Sequence, residues 1–306
     1  MVNLLQLNKI KTDEEMITIS NTFLTGEEDY LIINEDCDAY HGDKLLFKFR
    51  KNVLTQSESF YKNVINFAKS SYSTNRGSAS GSNRKNVSDN PKVYSNVIGF
   101  VDGFSPRQKQ LIRQKNLSFD HDIRHCRFNV DYPDKYNNLL PYIQEIDKHY
   151  SNLLPDYYSK QISKKTLFKI EDTAFTTITT NVNYQTSIHK DKGDDPEGFG
   201  NLSVIENGEY TGGEICFPQF GVGINLRTND ILFMDTHEYH GNFPIYKIAP
   251  NAIRLSVVCY LKQKVYEKTK EVNHTDMNLH INKIKTIRKE TSSPTDAKHP
   301  SKEKCV

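Results

Sequence analysis

TAFTTITTNVNYQTSIHKDKGDD, Thr173 to Asp195, begins with a run rich in Thr, Ile and Val and closes on His189-Lys190-Asp191. Side chains branched at Cβ pack well on a pleated surface, so Ala174 to Val182 reads as a strand. His189 and Asp191 are two residues apart, so at the end of a strand their side chains share one face. An imidazole nitrogen and a carboxylate oxygen can then reach one metal ion together. Taken alone, a His-x-Asp pair is a short pattern that recurs by chance.

Outward from this stretch, the second half of the chain consists of short β-rich runs: Leu202 to Ile205, Glu214 to Phe217, Asp230 to Met234 and Ile253 to Leu261. Turn signals separate them at Asn207-Gly208, Gly212-Gly213, Gly221 with Gly223, and Pro250-Asn251. Many short strands joined by glycine-rich turns argue for a β-sandwich or barrel. The first half differs. Phe60, Val64, Phe67 and Ala68 recur at helical spacing within Gln56 to Ser70. Leu139, Leu140, Ile143, Ile146, Tyr150 and Leu153 do so within Tyr136 to Leu154, where Pro141 lies near the start of the pattern. Between these helices, Ser71 to Lys92 is rich in Ser, Asn and Gly and reads as a long loop. The expected class is α+β, with helices packed against one side of the β-structure. Three regions follow: residues 1–165, helical and loop-rich, packing on the core and contributing to substrate binding; residues 166–262, the β-structured catalytic core; and residues 263–306, a basic tail, loosely ordered or helical.

The chain of 306 residues is long enough for one large core. A hydrophobic content of 36% and a charged content of 25% are those of a globular protein. No stretch approaches the roughly 18 apolar residues needed to span a bilayer, so no membrane partner is expected. The opening MVNLLQLNKIKTDEE lacks the basic start and apolar run of a secretory signal. Cys37, Cys126, Cys216, Cys259 and Cys305 are scattered and form no CxxC pair, which points to a reducing, intracellular compartment. Net charge is +2, but from Lys262 onward 11 Lys and Arg stand against 6 Asp and Glu. Such a segment can attract phosphates irrespective of sequence.

Two later segments change the weight of the His-x-Asp pair. NDILFMDTHEYHGNFPI carries His237 and His240 after a strand-like run, and either could supply a third ligand. Residues three apart on an extended segment face opposite ways, so the two do not serve one metal together. NAIRLSVVCYL places Arg254 and Ser256 on one face of a strand by alternation. Two histidines and a carboxylate make a facial triad with positions left open for a bidentate co-substrate and dioxygen. A guanidinium suits the far carboxylate of a keto-dicarboxylate, because its planar fork meets a carboxylate with two parallel bonds.

The order His-x-Asp, His, Arg-x-Ser resembles the double-stranded β-helix (jelly-roll, cupin-like) oxygenases. Within them the chain resembles the TET/JBP family, which oxidises the 5-methyl group of nucleic-acid pyrimidines. The matching stretches are TAFTTITTNVNYQTSIHKDKGDD, NLSVIENGEYTGGEICFPQFGVGINLRTNDILFMDTHEYHGN and RLSVV. RGSASG (Arg76 to Gly81) and SNVIGFVDG (Ser95 to Gly103) resemble upstream elements of the same family. The resemblance implies Fe(II), 2-oxoglutarate as co-substrate, and DNA bearing thymine or 5-methylcytosine as substrate. It places His189, Asp191 and His240 on the iron ligands, His-Gly-Asn favouring His240 over His237. Arg254 with Ser256 falls on the binder of the distal carboxylate of 2-oxoglutarate. Asp194 falls where animal members carry an Asn that contacts the base, and where JBP-like members carry Asp. Arg76 and its neighbouring glycines could let the backbone approach a flipped nucleotide. Arg124 or Arg127 is a candidate for the near carboxylate of 2-oxoglutarate. A member of this family would work in the nucleus of a eukaryote, or in the cytoplasm if bacterial or viral. A prolyl-type protein hydroxylase shares the triad but often holds 2-oxoglutarate with Lys. A base-modifying relative using ascorbate shares both triad and substrate.

Overall fold

The computed structural model of the chain describes residues 2–73 and 92–291. Its strands are β1 (Asn3–Gln6), β2 (Leu31–Ile33), β3 (Cys37–His41), β4 (Lys44–Arg50), β5 (Tyr94–Asp102), β6 (Ile123–His125), β7 (Thr177–Val182), β8 (Gly200–Asn207), β9 (Tyr210–Gly212), β10 (Ile215–Phe217), β11 (Val222–Ile224), β12 (Ile231–Met234), β13 (Gly241–Asn242), β14 (Ile245–Lys247) and β15 (Ile253–Tyr260). The helices are α1 (Asp13–Ile19), α2 (Ser57–Ala68), α3 (Pro106–Gln114), α4 (Arg127–Asp131), α5 (Pro133–Leu153), α6 (Pro155–Ser163), α7 (Gln263–Thr269) and α8 (His274–Thr291).

A nine-stranded sheet runs β1-β3-β4-β12-β8-β15-β7-β5-β6, and a four-stranded sheet runs β13-β10-β11-β2. Alternation along the central strands explains how one sheet serves two cores. In β12, Leu232 and Met234 join Phe47, Phe49, Phe217, Val222 and Ile224 in a core shared by the two sheets. Ile231 and Phe233 point the other way and pack with α2 and α5, through Phe60, Val64, Ile143, Ile146 and Tyr150. Strand β15 divides likewise. Leu255, Val257 and Cys259 belong to the helix-side core, which sends Arg254, Ser256 and Val258 into the space between the sheets.

The helices are anchored by specific polar contacts. Gln56 precedes α2 and makes no side-chain cap bond; instead, Glu145 of α5 accepts from the backbone N–H of Thr55 and Gln56 and from the Thr55 hydroxyl. A carboxylate there meets the positive end of the helix dipole. Tyr142 donates its buried hydroxyl to Ser203 Oγ at 2.8 Å, tying α5 to β8. Helix α5 starts at Pro133, so Pro141 lies inside the helix rather than near its start. Pro141 is on the exposed side, as is Asn137, whose carbonyl loses its helical partner and can turn to water.

The expected strands of the second half are all present. The region before residue 166 departs from its reading as helices and loops, because β1, β3, β4, β5 and β6 of the large sheet come from it. The hairpin β3–β4 extends the sheet beyond β12, and β5 pairs with β7. The signal was present in KLLFKFR following His41-Gly42-Asp43, a strand run after a turn. Strands β1 and β2 are too short and exposed to announce themselves by pattern. The basic segment from residue 263 is the helical form of the expected tail through residue 291. It forms α7 and α8, which bury Val265, Ile284 and Ile287, and His280 Nε2 meets the carbonyl of Ile123 at 2.7 Å. Residues 292–306 lie outside the described residues.

Candidate metal centre and co-substrate cavity

His189 and His240 face each other as partners in an isolated antiparallel bridge. Each backbone N–H donates to the other's carbonyl, at 2.8 and 2.9 Å, and the N–H of Asp191 donates to Thr236 O at 2.9 Å. These bonds pin the segment carrying the His-x-Asp pair to the one carrying the distal histidine. The His189 and His240 rings lie 4.4 Å apart between centroids, and the nearest ligand atoms of His189, Asp191 and His240 all fall within 4.8 Å of one another.

The tautomers follow from the partners. Nδ1 of His189 meets Ser187 O at 2.7 Å, and Nδ1 of His240 meets Glu238 O at 2.9 Å. A carbonyl only accepts, so each Nδ1 carries the hydrogen and each Nε2 presents a lone pair. Those nitrogens lie 3.5 Å from Asp191 Oδ1 and 3.7 Å from Asp191 Oδ2. Burial works against the Asp191 charge, but the His189 contact and the two imidazoles outweigh it and hold the carboxyl at about 2. Burial, with the His189 charge, pushes His240 down to about 4. Burial opposes a charge on His189, but the Asp191 contact outweighs it and raises that imidazole above its ordinary value; with His189 deprotonated, two imidazole nitrogens and one carboxylate, each oriented by backbone, form a donor set suited to a divalent metal. His237 lies apart from it: its side chain and N–H both turn to Asp235 Oδ1, at 3.2 and 3.0 Å.

The triad opens on a cavity of about 260 Å³ also lined by Arg254, Ser256, Asp194 and Lys262. Arg254 is 4% exposed, and its Nε has no hydrogen-bond partner. Among the described residues no carboxylate stands within ion-pair distance of it, and burial pulls its pKa down. Glu206 and Glu214 act on it only from beyond that distance; a buried cation without a paired carboxylate is costly, so the cavity is electrostatically complementary to a carboxylate. That is the observation by which a keto-dicarboxylate fits this site. Ser256 lies opposite Asn181 in the β15–β7 register. Asn181 Nδ2 donates to Ser256 Oγ at 3.3 Å, while Ser95 donates its hydroxyl to Asn181 Oδ1 at 2.6 Å.

Several contributors were not legible in the sequence. Gly213 is one: it has φ +80°, and a Cβ there would stand 2.9 Å from Arg254 Nε, so its bare backbone leaves room for the guanidinium. Gly212 is equally constrained, since a Cβ would meet Pro244 O at 2.0 Å. The paired glycines therefore do more than turn the chain. Asn181 and Ser95 are two others, ordinary polar strand residues until the sheet brings them together. Arg124 and Arg127 do not line the cavity; Arg127 Nε binds Asp131 at 3.1 Å. Tyr184, Thr186 and Asn242 occupy the cavity wall instead. Asp194 does line the cavity, and burial, with the nearby Asp191 charge, raises its carboxyl well above the usual range against the pull of Lys262. Arg76 lies outside the described residues.

Fold and site together define a double-stranded β-helix with a His-Asp-His cluster. Residues 113–263 match the oxygenase domain of the 2OGFeDO superfamily of the Tet_JBP type, and the chain carries that TET/JBP domain. It is 34% identical over 164 residues to the bifunctional helicase and thymine dioxygenase JBP2 of Leishmania infantum, covering 52% of this chain and 14% of that protein. It is 30% identical over 148 residues to the thymine dioxygenase JBP1 of Trypanosoma brucei brucei, covering 47% of this chain and 18% of the relative. The chain thus spans less than a fifth of the length of either. Among solved structures, NgTET1 in complex with 5mC DNA shares the fold, with a TM-score of 0.53 and 13% identity over 89% of this chain and 100% of that one. Among the described residues no helix is long and apolar enough to cross a membrane.

Proposed function

We propose that the chain is an Fe(II)- and 2-oxoglutarate-dependent dioxygenase that hydroxylates the 5-methyl group of a pyrimidine in DNA. Thymine is favoured over 5-methylcytosine, since the relatives described above are named thymine dioxygenases. The observation carrying the reading is the shared cavity, in which a buried Arg254, with no carboxylate in ion-pair contact among the described residues, faces the same space as the His189–Asp191–His240 cluster.

In this reading His189, Asp191 and His240 hold the iron, and the carbonyls of Ser187 and Glu238 keep both Nε2 lone pairs aimed at it. Arg254 takes the distal carboxylate of 2-oxoglutarate, and Ser256, oriented by Asn181, supplies a hydroxyl beside it. Leu202, Ile215, Met234 and Val258 form the apolar wall that excludes water from the reacting end. The bound iron and co-substrate, with dioxygen, supply the oxidising power for C–H cleavage. Asp194 faces the base, which leaves the DNA stack to enter the cavity. Ser95 of β5 lines the cavity too, so the region before residue 166 contributes to the substrate side. Such a protein works where DNA is kept, in the nucleus if its source is eukaryotic and in the cytoplasm if it is bacterial or viral.

The test offers purified protein, Fe(II) and 2-oxoglutarate to DNA containing thymine or 5-methylcytosine, with nucleosides analysed by mass and succinate measured. Hydroxymethyl product that disappears in Asp191→Ala supports the reading. Succinate released only with a peptide panel would replace it by a protein hydroxylase. Base oxidation that needs ascorbate in place of 2-oxoglutarate would replace the co-substrate.

A further inference from the structure

Arg254 has an acidic neighbour in reach that does not neutralise it. In the β8–β15 register Glu206 lies directly opposite Arg254, and directly opposed residues have Cβ atoms roughly 4.5–5.5 Å apart. Glu206 also shares its face of β8 with Leu202 and Val204, which pack between the two sheets. Two long side chains so placed can meet. Yet Glu206 and Glu214, the two acids whose charge Arg254 feels, both make their ion-pair contacts elsewhere.

Both acids turn to Arg227, in the segment between β11 and β12. Its Nη1 donates to Glu206 Oε1 at 3.2 Å, and its Nη2 stands 3.9 Å from Glu214 Oε1. The other Glu206 oxygen accepts from the backbone N–H and the hydroxyl of Thr228, at 2.9 and 3.1 Å. Arg227 is itself held in place. Its guanidinium lies over the Tyr210 ring, 4.9 Å from the centroid, and its Nε donates to Asn225 Oδ1. Its backbone N–H donates to Asp230 Oδ2 at 2.9 Å. A planar guanidinium with several donors in a fixed fork can engage two acids at once.

Resting on the function proposed above, we propose that Arg227 is a positioning residue for co-substrate binding: it draws Glu206, and with it Glu214, away from Arg254, so that the Arg254 guanidinium stays free for the distal carboxylate of the keto-dicarboxylate. Without Arg227, the Oε1 oxygen of Glu206 is released and turns to the buried guanidinium across the strand pair. An internal carboxylate then competes with the ligand. Apparent affinity falls in proportion to the fraction of molecules whose Arg254 remains free, so an internal pair favoured about tenfold weakens binding about tenfold.

The experiment combines anaerobic calorimetry of 2-oxoglutarate binding to the Fe(II)-loaded protein with urea unfolding of the ligand-free protein. Arg227→Met is expected to raise Kd for 2-oxoglutarate roughly tenfold, with Fe(II) affinity unchanged. Adding Glu206→Gln to Arg227→Met should bring Kd back to within about threefold, because the competing carboxylate is gone. A change of net charge alone would give the same recovery, and the urea arm separates the two. In a double-mutant cycle of Glu206→Gln with Arg254→Met, the coupling in the unfolding constant should be under about threefold in the unaltered protein and about tenfold in Arg227→Met. Arg227→Gln, which keeps donors in the turn, should behave alike and serves if the methionine variant does not fold. An unchanged Kd overturns the proposal, as does a double variant that recovers nothing or a Glu206–Arg254 coupling that does not grow. If the unaltered protein binds no 2-oxoglutarate, the functional reading falls, and this proposal with it; if it binds and the Arg227 variants bind equally well, only the role of Arg227 falls.

Discussion

Replacing Arg254 by methionine separates what the protein needs for folding from what the co-substrate needs for binding. Arg254 is 4% exposed, has an unpartnered Nε, and among the described residues has no carboxylate within ion-pair distance. A guanidinium–carboxylate fork consists of two charge-assisted hydrogen bonds, each contributing roughly 1.5–3 kcal/mol. Even the lower bound, about 3 kcal/mol for both, weakens 2-oxoglutarate binding by roughly 100-fold. The ligand-free protein should respond in the opposite sense. Methionine fills a comparable volume without a buried charge, so its stability is expected to be unchanged or raised by about 1 kcal/mol. Anaerobic titration calorimetry with Fe(II) and 2-oxoglutarate, paired with urea unfolding of the ligand-free protein, measures both quantities. The reasoning is refuted if Arg254→Met binds 2-oxoglutarate as well as before. A loss of more than about 2 kcal/mol of ligand-free stability would equally refute it, since the protein itself would then be satisfying the guanidinium.

Gly213→Ala should weaken 2-oxoglutarate binding with little effect on metal affinity, because the new Cβ would stand 2.9 Å from Arg254 Nε and φ is +80°; a destabilisation of about 1 kcal/mol is expected from the backbone strain, and equal losses of metal and co-substrate would count against it. Glu145→Ala removes the carboxylate at the N-terminus of α2 and should cost about 1–2 kcal/mol in urea unfolding, with Glu145→Gln costing less. His125, stacked on Phe100 with ring centroids 4.8 Å apart, is pushed by burial, then by Lys285 and His280, from 6.5 to about 4. Its folded pKa lies below the unfolded one, so its contribution is fully present above pH 6.5 and declines as pH falls toward about 4. That amounts to about 2 kcal/mol between about pH 7.5 and about pH 5. His125→Phe should flatten this part of the stability profile, and an unaltered slope would show that other groups produce it.

Local pattern carried much of the site. His189 with Asp191, and Arg254 with Ser256, are pairs spaced by two, and a two-residue period places each pair on one face without knowledge of anything else. The same period separates Leu255 and Val257 from Arg254 and Ser256, which is why one strand can both build the helix-side core and line the cavity. The amphipathic spacing of α2 and α5 was likewise visible, being a property of consecutive residues.

Pairing between distant segments is a different matter. Whether His237 or His240 completes the cluster depends on which one bridges to His189, and that was decided by backbone bonds between segments some fifty residues apart in sequence. Asn181 and Ser95 meet Ser256 only because β5, β7 and β15 are neighbours in the sheet. Gly213 clears Arg254 across a turn, and Lys262 faces Asp194 across an isolated bridge. A strand's own sequence specifies which residues share a face, because that follows from backbone geometry alone. It does not specify which strand lies alongside, because that depends on how all the apolar faces are buried at once. The chemistry of this protein was therefore readable along the chain, while the arrangement of its cavity came from the folded sheet.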